Sequence, residues 1–207
     1  MKAKFVSNSH ESSRMFKSGL LESLSKVHFS VPLFVFVPVI GYFLYQAIVN
    51  QTNWVTTLIS IAAGLAFWTL TEYVLHRFIF HFEPQSKWGQ RIHFIFHGVH
   101  HDYPNDALRL VMPPSVSIPL ATGFYFLFKF VLPENYLNGF FAAFLIGYLF
   151  YDISHYALHH GNFKSNFWKK LKNHHMQHHY VDATKGYGVS SALWDKILHS
   201  DFNKDAN

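Results

Sequence analysis

Residues 138–160 read NGFFAAFLIGYLFYDISHYALHH. The first twenty positions are mostly apolar or small, and Asp152 is the one formal charge among them. A helix rising about 1.5 Å per residue needs about 20 such residues to cross a bilayer's hydrocarbon core. The stretch then ends in His155, His159 and His160. Positions four apart lie on one helix face, so His155 and His159 project together. An apolar run that finishes in paired imidazoles is a membrane helix carrying metal ligands to its end.

The same pattern recurs outward from this segment. Apolar runs at 31–49, 54–74 and 114–131 complete four expected spans, with 138–157 the last. Asn50-Gln51-Thr52-Asn53 separates the first two, and Leu132-Pro133-Glu134-Asn135-Tyr136 the second two, so two helical hairpins are expected. Half of the 207 residues are hydrophobic, 23 are Phe, and only 14% are charged, against roughly 25% in soluble domains. A soluble fold this size would expose large apolar patches. Absence of cysteine removes disulfides, thiolate metal sites and thiol catalysis.

The net charge of +5 follows the spans, which argues for a bilayer and against nucleic acid. No charged side chain lies between Lys26 and Glu72. In a four-span arrangement Lys2, Lys4, Arg14, Lys17 and Lys26 share a side with Arg77, Lys87, Arg91 and Arg109. Lys164, Lys169, Lys170, Lys172, Lys185, Lys196 and Lys204 join them, and only Lys129 falls near the other side. Basic loops stay cytoplasmic, so both termini and every histidine group are expected there. Residues 1–30 carry no signal-peptide core and are expected to lie as a partly ordered segment at the headgroups, with a short helix starting near Ser12, Ser13 and Phe16. A membrane domain over 31–200 and a tail over 201–207 complete the division.

The sixteen histidines cluster as His76-x4-His81, His97-x2-His100-His101, His155-x3-His159 and His175-x2-His178-His179. Three groups have helical i, i+3 or i+4 spacing. His76 and His81, five apart, imply a distorted turn at the end of the second span. These ten imidazoles exceed what one ion accepts and divide between two ions of five ligands each. Imidazole suits iron, zinc, copper and nickel alike. Neutral ligands leave two dications uncompensated, so carboxylates should gather around them; Glu72, Asp102, Asp152 and Asp182 are candidates to orient the rings. His93, His160 and His174 lie beside the groups and are expected to support them, whereas His10, His28 and His199 are ordinary histidines. A zinc peptidase would require His-Glu-x-x-His, which does not occur near the spans. A metal transporter would place ionisable groups at the bilayer midplane.

Several segments resemble the fatty acid hydroxylase and sterol desaturase superfamily, and within it the fatty acid 2-hydroxylases. These are residues 93–106 (HFIFHGVHHDYPND), Arg109-Leu110-Val111-Met112-Pro113-Pro114, residues 148–161 (YLFYDISHYALHHG), His175-Met176-Gln177-His178-His179-Tyr180 and residues 186–195 (GYGVSSALWD). The resemblance spans roughly 60–200. It implies an all-α integral membrane protein, four transmembrane helices in two hairpins, with a cytoplasmic helical cap holding a histidine-rich dimetal site. It also implies a di-iron monooxygenase that inserts one atom of O2 at C2 of a long acyl chain, with zinc an alternative occupant of purified protein. The ten histidines named above are then the ligands, with Asp102, Asp152, His93 and His174 beside them. Arg109, Tyr151, Tyr187 and Trp194, with Tyr180 nearby, are expected to meet the substrate.

Many family members carry an amino-terminal cytochrome b5 domain, for which this chain leaves no room. Electrons are therefore expected from a separate cytochrome b5 or ferredoxin with its reductase. A chain this short fits a bacterial inner membrane, or the endoplasmic reticulum in a eukaryote. Oxidation of a sterol or carotenoid, and non-catalytic metal binding or transport, are the alternatives.

Overall fold

The computed structural model describes residues 6–7, 9–50 and 53–202. Lys2, Lys4 and Lys204, the break residues Gln51 and Thr52, and 203–207 of the expected tail lie outside them. Among the described residues the chain is helical, with no strand. In order it forms α1 (Gly19–Leu24), α2 (Val31–Val49), α3 (Trp54–Val74), a π-helical turn Leu75–Phe80, α4 (Lys87–His93), a second π turn Phe94–Gly98, and α5 (Val99–Asp102). Then come α6 (Pro114–Val131), α7 (Glu134–His160), α8 (Asn166–Tyr180) and α9 (Leu193–Ile197).

Four helices are long and apolar enough to cross a membrane: Val31–Val49, Trp54–Phe80, Pro114–Val131 and Glu134–His160. The chain is a membrane protein. The second and fourth run longer than the hydropathy pattern implies, 27 residues each. That is about 40 Å of helix against about 30 Å of hydrocarbon. His76, His155 and His159 lie in the last two turns of these long helices.

The centre of the bundle is α7. In its apolar stretch 78% of residues are buried, against 22, 33 and 11% in the other three spans. It packs chiefly along α3 and α2, while the chain-adjacent pairs α2–α3 and α6–α7 touch much less. The expected hairpins are therefore not the main packing units. Hydrophobic transfer cannot drive helices together in lipid, so close van der Waals approach decides the pairing. Small residues supply it: a Cβ at Gly64 would overlap the Phe140 carbonyl, and one at Gly139 the Ser60 hydroxyl. Around this seam Phe140, Phe141, Phe144, Trp68, Tyr148 and Phe36 interlock, mostly edge to face.

The amino-terminal segment departs from expectation. No helix begins at Ser12, Ser13 or Phe16; the first helix is α1, capped by Ser18. The amides that would start a helix are taken by distant carboxylates. Asp106 accepts the Ser13 N–H at 2.9 Å, and Glu22 accepts those of Met15 and Phe16 at 2.9 and 3.0 Å. Met15 and Val27 are buried, and the Val27 N–H reaches the Leu108 carbonyl at 2.9 Å. The segment is thus a strap bound to 99–112. At the other end, Asp201 and Phe202 lie against His174.

Candidate metal centre

The five-residue gap between His76 and His81 explains the first π turn. On an α-helix those positions point about 140° apart; one π turn aligns i with i+5. The His81 N–H indeed bonds the His76 carbonyl at 3.2 Å, and the two Nε2 atoms approach to 3.2 Å. The second π turn, Phe94–Gly98, presents His97 just before the short α5 that carries His100 and His101.

The ten histidines meet in two groups. His76, His81, His97, His101 and His178 form one, and His100, His155, His159, His175 and His179 the other, each with its nitrogens within 4.8 Å of one another. Each three-histidine box is divided. Members four apart stay together (His97 with His101, His175 with His179), while the i+3 member, about 60° round the helix, turns to the other group. His101 and His179 stack across the boundary with centroids 4.3 Å apart, so the groups adjoin.

Within the first group the Nε2–Nε2 separations along His76–His97, His81–His97, His97–His101 and His81–His178 are 3.1, 3.1, 2.9 and 3.0 Å. In the second, His100–His155, His159–His175 and His175–His179 are 2.9, 2.9 and 3.2 Å apart. Two nitrogens at right angles on an ion about 2.1 Å away lie about 3.0 Å apart. His76 donates from Nδ1 to the Tyr187 carbonyl at 2.5 Å and His178 to the Lys185 carbonyl at 2.6 Å. A carbonyl only accepts, so both rings hold their proton on Nδ1 and turn the Nε2 lone pair inward. Converging lone pairs repel unless a cation lies between them, and the donor set therefore fits a metal in each group.

Burial keeps these rings neutral, as ligands must be. It lowers His97, His100, His101, His175 and His179 far below the ordinary imidazole range, with neighbouring imidazoles adding to the effect. Burial is also the largest cause bringing His81 to about 2 and His178 to about 4.

Asp152, Glu72 and Asp182, expected to orient the rings, bond other groups. Asp152 accepts from the Met112 N–H at 3.1 Å and the Tyr148 hydroxyl at 3.1 Å, not from a ring. Glu72 accepts the Val189 and Ser190 amides, each at 2.8 Å. Asp182 caps its own turn through Thr184, and Asp102 receives the Ser7 N–H on its carbonyl. His93 closes α4 within electrostatic reach of His81. His174 bonds Asp195 at 3.1 Å, and His160 packs on Tyr156.

A cavity of about 220 Å³ opens beside both groups. It touches His97, His100 and His155, and its walls are largely apolar: Ile95, Val99, Leu110, Val111, Met112 and Tyr151 among them. Arg109 and Tyr151 of the expected substrate residues line it. The Arg109 guanidinium, however, is engaged inside the protein. It donates to the Ser13 carbonyl at 2.6 and 3.0 Å, to Ser25 at 2.9 and 3.2 Å, and to Glu22 at 2.7 Å. It clamps the strap and leaves no free fork for a headgroup. Tyr187 sits over the first group, 5.3 Å from His81 between ring centroids. Trp194 packs on α3 through Thr69 at 3.1 Å, and Tyr180 lies half-exposed at the end of α8. Sequence reasoning missed Met15, Phe16, Leu21 and Leu24, which complete the cavity wall from the strap. It also missed the buried carboxylates Asp106 and Asp195. The apolar spacing 20, 21, 24 was the one available signal for the strap.

The family model described as fatty acid hydroxylase matches residues 61–200. A dihydroceramide fatty acyl 2-hydroxylase of Arabidopsis thaliana is 37% identical over 189 residues, covering 91% of this chain and 79% of that protein. Mouse fatty acid 2-hydroxylase is 36% identical over 94% of this chain and 58% of its own length. The Saccharomyces cerevisiae ceramide very long chain fatty acid hydroxylase is 39% identical over 90% and 49%. A solved structure of full-length scs7p, with only its hydroxylase domain visible, superposes with a TM-score of 0.85 at 38% identity, covering 91% of this chain and 72% of that one. With the histidine groups, these matches make the chain a member of the fatty acid hydroxylase family.

Proposed function

We propose that the protein is a membrane-bound dimetal monooxygenase that hydroxylates C2 of long-chain acyl groups, carried as ceramide or another sphingolipid, or as the fatty acid. One oxygen atom of O2 enters the C–H bond; the other leaves as water with two electrons and two protons. The single observation that carries this reading is the pair of five-histidine groups adjoining one apolar cavity. The substrate class comes from the relatives named above.

Two iron ions would be held by His76, His81, His97, His101 and His178, and by His100, His155, His159, His175 and His179. Bound and reduced, they would activate O2 strongly enough to attack an unactivated C–H bond. The chain's own residues position and exclude. Ile95, Val99, Leu110, Val111 and Met112 present an apolar wall to methylenes, and Tyr151, stacked on His155, closes its end. At about 220 Å³ the cavity is smaller than a typical ligand pocket of 300–1,000 Å³. It would take the reacting end of a chain while the remainder lies along the helices. Asp152, His93 and His174 would support the centre through the contacts described and Asp102 from its place beside His101, and Tyr187 and Trp194 would brace it. Basic loops would set the centre and both termini on the cytoplasmic face, of a bacterial inner membrane or the endoplasmic reticulum. Residues 31–200 would be the catalytic membrane domain and 1–30 an interfacial segment. A cytochrome b5- or ferredoxin-type protein with its reductase would deliver electrons.

Expression in a host that makes no 2-hydroxy lipids tests this reading. Mass spectrometry should find acyl chains with one added oxygen at C2, and His100→Ala should abolish them. Oxygen at another carbon, or on a sterol or carotenoid, would contradict the substrate assignment.

A further inference from the structure

Residues 185–191 contain five successive amides, and every one has a fixed partner. Gly186 donates to the Ser200 carbonyl at 2.8 Å. Tyr187 and Gly188 donate to the two oxygens of Asp195 at 2.9 and 2.8 Å. Val189 and Ser190 donate to one oxygen of Glu72. Asp195 is fully buried and also accepts from His174 and from the Ser200 hydroxyl at 2.8 Å. Gly186 has φ +70°, and a side chain there would strike Phe202. With its amides held on one side, the loop faces its Lys185 and Tyr187 carbonyls toward His178 and His76. Both of those rings belong to the first group.

The second group has a corresponding loop elsewhere. The 104–112 loop lies beside it, with the Leu110 and Pro104 carbonyls within electrostatic reach of His155 and His159. That loop is held by different carboxylates: Asp152 takes the Met112 N–H, and Asp106 those of Leu108 at 3.2 Å and Ser13. No carboxylate is shared between the two.

We propose that the two loops are independent clips, one for each metal, and that Asp195 and Glu72 are positioning residues for the His76/His178 site alone. The proposal rests on the dimetal reading above. Asp195 uses both oxygens on N–H donors, so an amide there sets N–H against N–H. Glu72 uses one oxygen for both amides, so glutamine preserves the arrangement and alanine removes it. Loss of such outer contacts lowers metal affinity about 10–100-fold.

The test is metal content per chain, and metal release to a chelator, for full-length protein purified in detergent and loaded with iron. Native protein and Glu72→Gln should hold two ions. Asp195→Asn and Glu72→Ala should retain about one, losing the other at least about tenfold faster. Adding Asp195→Asn to His178→Ala should cost nothing further, while adding it to His159→Ala should empty the protein. Ser200→Ala, a milder change on the same carboxylate, should speed release of one ion and serves if Asp195→Asn does not fold. Unchanged release of both ions from these variants, or equal loss from both sites, would overturn the proposal. A native protein that binds no metal would instead refute the dimetal reading itself.

Discussion

The membrane bundle and the histidine cap are held by opposite kinds of physics. The bundle, α2, α3, α6 and α7, is joined by many small aromatic and aliphatic contacts around α7. The cap, 75–112 with 161–202, is joined by a few buried polar atoms, each with a specific partner. Errors in the first spread over many neighbours. Errors in the second leave a buried charge or amide without a partner, which is costly in any low-dielectric setting. A protein that must hold ten nitrogens to tenths of an ångström needs the second kind of order where the chemistry is.

The contrast can be broken by substitution. The largest expected effect is His178→Ala: 2-hydroxy product falls below detection and one metal is lost, while the protein still extracts and melts as a folded chain. If that variant turned over normally, the cap would not be the working part. Next is Arg109→Met, which leaves Glu22 and two carbonyls without their cation. It should cost on the order of 2–3 kcal/mol of strap docking. Limited proteolysis should then cut between 14 and 18, and KM should rise while metal content is kept. A smaller and more diffuse effect is expected of Gly64→Val in the bundle. Overpacking against Phe140 should cost about 1–3 kcal/mol, seen as a lower melting temperature with unaltered activity per folded molecule.

Acid should separate parts of the cap. His178 has a folded value of about 4 against 6.5 in the unfolded chain. Its contribution is therefore present above about 6.5 and is lost as pH falls from there toward 4. Glu22 is lowered from 4.5 to about 2. Burial alone would raise it, but the Phe16 N–H, Lys26, the Met15 N–H and Arg109 together prevail. Its contribution is present above about 4.5 and is lost as pH falls toward 2. Metal-stripped protein should thus lose thermal stability first between pH 6.5 and 4, with strap cleavage following at lower pH. Strap release that comes first would reverse the order.

The bundle was largely legible in the sequence because a 20-residue apolar run has few other readings, and three span boundaries agree within a few residues. Which helices pair was not legible. It depends on where Gly64 and Gly139 meet Phe140 and Ser60 in space. The ten histidines, eight in the cap and two at the end of α7, announced themselves by spacing, and the five-residue gap at His76 signalled the π turn. Their division into two groups was hidden, because His100 and His178 leave their box-mates only once α5 and α8 face each other. The strap was hidden for a similar reason. Its helix has six residues, and the groups that order it, Asp106 and Arg109, lie about ninety positions away.

The central claim is that these two histidine groups direct oxygen from O2 into an acyl chain. It is tested most directly by turnover of iron-loaded protein with an electron donor, a long-chain ceramide and isotopically labelled O2. One labelled oxygen is expected at C2 of the acyl chain in each product molecule, with none in the His100→Ala reaction. Product oxygen drawn from water, or label that survives loss of His100, would contradict it.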